Sequence, residues 1–203
     1  CITYNEVLMS TLPPFQNLER RVQRTITDLY DAFVDLLQYK HFKTIKVKDV
    51  TNKAKINRTT FYNHFSDMDD FIVYCAREGL RRELLSIYPT QEFPYSRKNL
   101  KLLVYWLVEF IEREYNNWHY KWDESIFENA MRTELYHYLV DWIPNNDVEK
   151  SLSLCNTTAM FISTSVVGLA LNRCIINSQE PTAELSGKIC QLLWEGLRKE
   201  ADS

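Results

Sequence analysis

The chain has 203 residues, 45% hydrophobic and 25% charged, with a formal net charge of -3; this excludes collagen-like and disordered proteins, and the length suffices to bury a core. Its four glycines lie far apart, which excludes the glycine-rich phosphate loops of nucleotide-binding enzymes. Four glycines and six prolines are also too few for the turns of a β-rich chain, so the composition favours an all-α fold.

The first third of the chain predicts an amphipathic helix, two short helices and the start of a long one. Residues 1–17 are set aside as an N-terminal tail or an expression remnant. Asn57 is a suitable N-cap for the second short helix, and Asp67 followed by Asp70 is a start signal for the long one. From hydrophobic periodicity, the predicted helices are residues 19–40, 47–54, 58–65 and 68 to about 88.

The rest of the chain predicts four longer helices separated by proline-containing or polar links. They are residues 97–117, 123–142, 148–177 and 183–199. The chain therefore divides into a three-helix unit over 18–66 and a larger helical body over 67–203.

One predicted helix tests the membrane alternative. Residues 151–172 carry no charge, and a run of 22 residues is long enough to span a bilayer. Nine of these residues are serine, threonine or asparagine, which is too polar for lipid. We therefore expect a helix buried inside the protein and no membrane partner.

The charge is distributed unevenly along the chain. Residues 40–66 hold seven lysines or arginines against one acid, Asp49, so this segment carries +6 while the remainder carries -9. A compact basic segment in an acidic protein is typical of a nucleic-acid site. By charge alone, a solvated lysine-rich loop explains the segment at least as well.

Two short helices joined by a three-residue turn, after a hydrophobic helix, predict a helix-turn-helix. Phe61 and Phe65 are four residues apart, so they share the inward face of the second short helix. Arg58, Thr59 and Asn63 lie on the opposite side, where they can contact guanine, a thymine methyl and adenine in a major groove.

Other polar residues of this motif are placed for the DNA backbone. Thr60, Tyr62 and His64 suit phosphate oxygens, and three lysines supply attraction that does not depend on sequence. The predicted DNA-binding residues are Lys46, Lys48, Lys55, Asn57, Arg58, Thr59, Thr60, Tyr62, Asn63 and His64.

Residues 42–50 and 54–65 resemble the DNA-binding domain of the tetracycline-repressor (TetR/AcrR) family. The specific part is Thr-Phe-Tyr-Asn-His-Phe, residues 60–65, after a helix-turn-helix. The resemblance covers about residues 20–72. Three positions depart from the family pattern: Lys55 stands where a turn glycine is usual, Lys46 where a capping threonine is usual, and Met68 where a phosphate-binding lysine is common.

The resemblance implies a cytoplasmic bacterial transcriptional regulator, most often a repressor. It implies a homodimer that binds a near-palindromic operator in double-stranded DNA, with half-sites about 34 Å apart. It also implies that the C-terminal domain binds an effector and dimerises through its last two helices. The alternative is a TetR-like subunit controlled by another protein, with no small-molecule pocket.

Two patterns in the body leave alternatives open. Small residues at 163, 165 and 168 would permit close helix approach, and an apolar stripe on the last helix fits a dimer interface and an intrachain core equally well. That stripe comprises Leu185, Ile189, Leu192, Leu193 and Gly196. The aromatic residues of 102–142 fit a cavity for an apolar effector, but they fit ordinary packing as well.

Enzymatic, metal and redox roles find little support, so we expect neither an enzyme nor a cofactor. The chain has no G-x-S-x-G, P-loop or H-E-x-x-H motif. His119 and His137 lack a third ligand at a metal-like spacing. The five cysteines are odd in number and widely spaced, and residues 1–17 do not resemble a secretory signal; both indicate a reducing, cytoplasmic location.

Overall fold

The computed structural model describes residues 18–90, 92–118, 124–143 and 151–201. Within these ranges the chain is helical and contains no strand, which confirms the all-α prediction. A single 3-10 turn, Phe42–Thr44, precedes the second helix. The helices are α1 Arg20–Leu37, α2 Val47–Ala54, α3 Arg58–Tyr62, α4 Met68–Ile87, α5 Arg97–Trp118, α6 Glu124–Trp142, α7 Ser151–Ile175 and α8 Thr182–Ala201.

Most helix boundaries agree with the periodicity, but α3 is shorter than predicted. It ends at Tyr62 rather than at residue 65. The backbone N–H groups of His64 and Phe65 both donate to the carbonyl of Phe61, at 3.0 Å, so the chain closes into a turn there. Asp67 and Asp70 then cap the start of α4, where Asp70 N donates to Asp67 Oδ1 at 2.8 Å.

Contacts divide the chain into two compact units, and the division falls within α4, between Ala76 and Arg77. The core of the first unit is a cluster of phenylalanine rings, each less than 2% exposed. Phe71 of α4 packs edge-to-face against Phe33 of α1, Phe61 of α3 and Phe65, with ring centroids 5.5, 5.3 and 4.9 Å apart. The first turns of α4 are therefore part of the helix-turn-helix core.

The second unit is a helical bundle in which α5 packs against α7 and α8, and α6 packs against α7. Its core includes two carboxylates that are paired with arginines. Glu78 is 3% exposed and accepts hydrogen bonds from Arg81 and Arg82 at 2.7–2.8 Å. Glu134 of α6 is 6% exposed and accepts from Arg77 Nε at 3.3 Å. These pairs offset the cost of burying charge.

The link between α4 and α5 is held by aromatic residues of α6. Tyr138 Oη donates to the carbonyl of Tyr88 at 2.9 Å, and Trp142 Nε1 donates to the carbonyl of Phe93. The Phe93 and Trp142 rings stack with centroids 5.4 Å apart. These rings therefore pack against one another, while Tyr105 of α5 is 43% exposed. The effector cavity stays a prediction.

Helix α7, which carries no charge over residues 151–172 and has Arg173 in its last turn, is buried on one face only, so the expectation of a helix buried inside the protein was wrong for the single chain. One face packs in the bundle, with Ile162, Val166 and Ala170 each 1% exposed or less. The other face carries Met160 and Phe161, which are 56% and 54% exposed. The segment Cys155–Ile175 of α7 is long and apolar enough to cross a membrane, by length and composition alone. The core helix of a soluble protein can have the same length and composition.

Candidate nucleic-acid interface

The first helix of the motif, α2, is stabilised at its N-terminus by one carboxylate. Lys46 is the N-cap residue and its side chain has no acceptor atom. Asp49 supplies the capping contact instead, because its Oδ2 accepts from Lys46 N at 2.9 Å. The other oxygen, Oδ1, lies 3.1 Å from Lys40 Nζ. These partners, the Lys46 N–H first, lower the pKa of Asp49.

The C-terminus of α2 turns through a left-handed lysine. Lys55 has φ 57 and ψ 37, a conformation in which glycine is usual, and a non-glycine residue there costs about 1–2 kcal/mol. Hydrogen bonds hold the turn: Lys55 N donates to Asn52 O at 3.2 Å, and Ile56 N donates to Thr51 O at 2.9 Å. The structure thus places the unusual lysine in the conformation that the motif requires.

The second helix, α3, is capped by Asn57 and anchored by Phe61. Asn57 Oδ1 accepts from Thr59 N at 2.9 Å, so its side-chain oxygen is already used within the protein. Phe61 and Phe65 are 0% and 1% exposed, as their spacing predicts. The opposite side of α3 therefore faces away from the core of this unit.

The ten predicted DNA-binding residues lie on α2, on α3 and on the turns beside them, and none is buried. Thr60 and His64 are half-buried and the other eight are exposed, with Tyr62 exposed by 55%. Burial lowers the pKa of His64, which favours its neutral form. The exposed residues are Lys46, Lys48, Lys55, Asn57, Arg58, Thr59, Tyr62 and Asn63.

Six of the seven cations of the basic segment fall into two groups, those paired with a carboxylate and those without a described ion pair. Lys40 pairs with Asp49, and Lys53 Nζ lies 3.2 Å from Asp35 Oδ2 of α1. Lys46, Lys48, Lys55 and Arg58 form no ion pair with any residue that the structure describes. The positive charge that remains available therefore lies at the two ends of α2 and at the start of α3.

Sequence reasoning missed two residues of this unit. Phe71 lies under α3, and its place could have been inferred from the apolar positions at the start of α4. Tyr39 is 64% exposed and precedes the basic segment, and no motif singled it out.

Comparison with known proteins gives relatives of one kind. No protein-family model matches the chain. A stretch of 58 residues is 36% identical to an uncharacterized HTH-type transcriptional regulator, YxbF, of Bacillus subtilis, and the match covers 28% of this chain and 15% of that protein. A second match, over 145 residues, is 26% identical to the dhaKLM operon transcriptional activator DhaS of Lactococcus lactis; it covers 64% of this chain and 71% of the relative.

A solved structure gives the fold. A protein from Pseudomonas aeruginosa PAO1, assigned as a transcriptional regulator, aligns with a TM-score of 0.50 at 16% identity, over 92% of this chain and 95% of that one. The chain shares the all-helical fold of this regulator, and α2 and α3 form its helix-turn-helix. The matched relatives are transcriptional regulators, and the shared segment spans only 15% of the Bacillus protein.

Proposed function

We propose that this TetR-like chain is a transcriptional regulator that binds specific sequences in double-stranded DNA through α3. The observation that carries the proposal is an exposed α3 surface together with cations that form no described ion pair, at the start of α3 and on α2. Arg58 begins α3, and Lys46 and Lys55 lie at the ends of α2. A basic surface of this kind attracts phosphates, and a helix supported by buried rings can enter a major groove.

Each polar residue of the motif is given a role that fits its environment. Arg58, Thr59 and Asn63 read bases. Lys48, Thr60 and Tyr62 contact phosphates, and so do Lys46 and Lys55. Asn57 uses its oxygen as the cap, which leaves its amide N–H groups for a phosphate. His64 contacts phosphate as a neutral hydrogen-bond donor rather than as a cation.

The proposal includes a homodimer formed through α7, with a contribution from α8. The exposed apolar face of α7 comprises Met160, Phe161, Leu169 and Ile175, which are 42–56% exposed. Gly168 lies beside this face, and a Cβ built there meets nothing within 4 Å. A second copy of the chain would cover this face symmetrically and would present two recognition helices to a near-palindromic operator.

Part of the apolar stripe of α8 belongs to the intrachain core, and part of it is exposed and available for a dimer interface. Ile189 and Leu193 are 2% exposed and belong to the intrachain core, whereas Leu192 is 68% exposed. Leu185 is half-buried. We therefore propose that Leu192 is the residue of this stripe that contacts the second copy.

We further propose that the second unit binds an effector and that the regulator acts in the cytoplasm as a repressor. The effector would shift the population between a DNA-binding state and a released state. The many aromatic residues of the second unit favour a small molecule as the effector. The alternative is that another protein controls the regulator. The Lactococcus relative is an operon activator, which differs from the repressor proposed for this chain. Expression of a reporter gene fused to the selected operator, measured with and without this protein, distinguishes activation from repression.

Selection of bound duplexes from a random pool tests the central proposal. We expect a near-palindromic motif for the wild type and loss of preference at one position of each half-site for Arg58→Ala. The exposed Lys98 of α5 gives a matched control, since Lys98→Ala removes a charge from the second unit and should leave the motif unchanged. Recovery of no motif by the wild type would overturn the proposal.

A further inference from the structure

Both ends of α2 carry a lysine at a position where lysine is unfavourable for helix stability. At the N-terminus, Lys46 occupies the N-cap without a side-chain hydrogen bond, whereas serine, threonine, asparagine or aspartate would satisfy a free N–H there. A cation at a helix N-terminus is also opposed by the helix dipole. At the C-terminus, Lys55 holds a left-handed backbone that glycine adopts without strain.

Neither lysine side chain forms a described ion pair that would offset this cost, although Asp49 Oδ2 accepts from the backbone N–H of Lys46. Both side chains are exposed, and neither forms an ion pair with the residues that the structure describes. Lys40 and Lys53, in the same segment, do have carboxylate partners. Residues that break a local rule without an evident gain in the folded protein are expected at functional sites.

We propose that Lys46 and Lys55 form a phosphate clamp at the two ends of α2, kept at the expense of helix stability. The proposal rests on DNA binding by this motif. The two residues are nine positions apart, which is about 13 Å along a helix axis, so their ammonium groups reach different phosphates. Lys48, which occupies neither cap position of α2, is not part of the clamp.

If the clamp exists, replacing either lysine by the residue that suits the helix end should raise stability and lower the affinity for DNA. Two variants at each position separate the effect of the lost charge from the effect of the repaired helix end. Lys46→Ser and Lys55→Gly remove the charge and also repair the helix end. Lys46→Gln and Lys55→Gln remove the charge and leave the helix end unrepaired. Lys98→Gln, on α5, is the control for loss of one exposed lysine.

We expect Lys46→Ser and Lys55→Gly each to raise the melting temperature by about 2–4 °C, and by more than the matching glutamine variants. Lys46→Gln should raise it slightly, because it removes a cation from a helix N-terminus, and Lys55→Gln should lower it slightly, because it removes a cation from a helix C-terminus. All four should flatten the salt dependence of binding to the selected operator, by about 0.9 per protomer in the slope of log K against log salt. Lys98→Gln should change neither quantity.

Three outcomes are distinguishable. If the wild type binds the operator and the clamp variants keep its salt slope, the clamp is wrong and DNA binding stands. If the slopes fall but the repaired variants are no more stable than the glutamine variants, the two lysines contact DNA without any cost to the helix, and the clamp as proposed is overturned. If the wild type binds no DNA, both proposals fail.

Discussion

Phe71 of α4 packs edge-to-face against Phe61 of α3, with ring centroids 5.3 Å apart. Both rings are 0% exposed. Helix α3 is only five residues long, and an isolated helix of that length is not stable in water. The position of α3 therefore depends on the rings beneath it more than on its own hydrogen bonds.

Truncation of Phe71 should therefore abolish DNA binding, although this buried residue would not contact DNA itself. Phe71→Ala deletes a fully buried ring, and we expect a loss of about 3–5 kcal/mol in the free energy of unfolding. Phe71→Leu fills part of the space and should lose less. Chemical denaturation and operator binding measured on the same samples would check this. A Phe71→Ala protein with unchanged stability would contradict the packing.

Replacing only one residue of the Arg77–Glu134 pair should lower stability more than replacing both. Both side chains are about nine-tenths buried, so Arg77→Ala leaves an uncompensated carboxylate and should cost about 3–5 kcal/mol of stability. Replacing both residues by apolar ones, as in Arg77→Met with Glu134→Leu, should recover most of that loss. Denaturation of Arg77→Met, of Glu134→Leu and of the double variant gives the coupling energy, and simple additivity would argue against the pair.

His137 should make stability depend on pH below its ordinary titration range. Burial, and secondarily Arg77, lowers its pKa, while Asp141 opposes the shift. The unfolded chain then takes up a proton more readily than the folded one, so stability is lost as pH falls below about 6.5. Glu134 acts in the opposite direction, because burial raises its pKa.

Comparison of the wild type with His137→Gln isolates the histidine, since both proteins keep Glu134. The wild type should lose more stability than the variant between pH 7 and pH 5, as measured by the denaturation midpoint. Equal losses would show that His137 is not the titrating group.

A charge on the exposed face of α7 should separate the proposed dimer. Phe161 is 54% exposed in the single chain, so Phe161→Glu should fold normally and sediment as a monomer, with weakened binding to the full operator. Leu102→Glu, on α5, changes a residue that is 46% exposed and should remain dimeric. Analytical ultracentrifugation distinguishes these results, and a dimeric Phe161→Glu would place the interface elsewhere.

The sequence predicted some elements well because local signals bound them at both ends. The limits of α2 follow from the break before Val47 and the turn after Ala54, and the inward side of α3 follows from two phenylalanines four residues apart. The orientation of α7 could not be predicted, because residues 151–172 carry no charge that would mark the solvent side. The role of Phe71 depends on tertiary packing, which periodicity within α4 does not specify.

Asp49 affects the electrostatic potential that the basic segment presents to DNA. It is the one acid among residues 40–66, and both of its carboxylate oxygens are engaged by neighbours, one by Lys46 N and the other by Lys40 Nζ. Its negative charge is therefore partly offset within the segment. Asp49→Asn would keep the outline of the side chain and add one unit of positive charge, so it should tighten non-specific binding and leave the proposed base contacts of α3 unchanged.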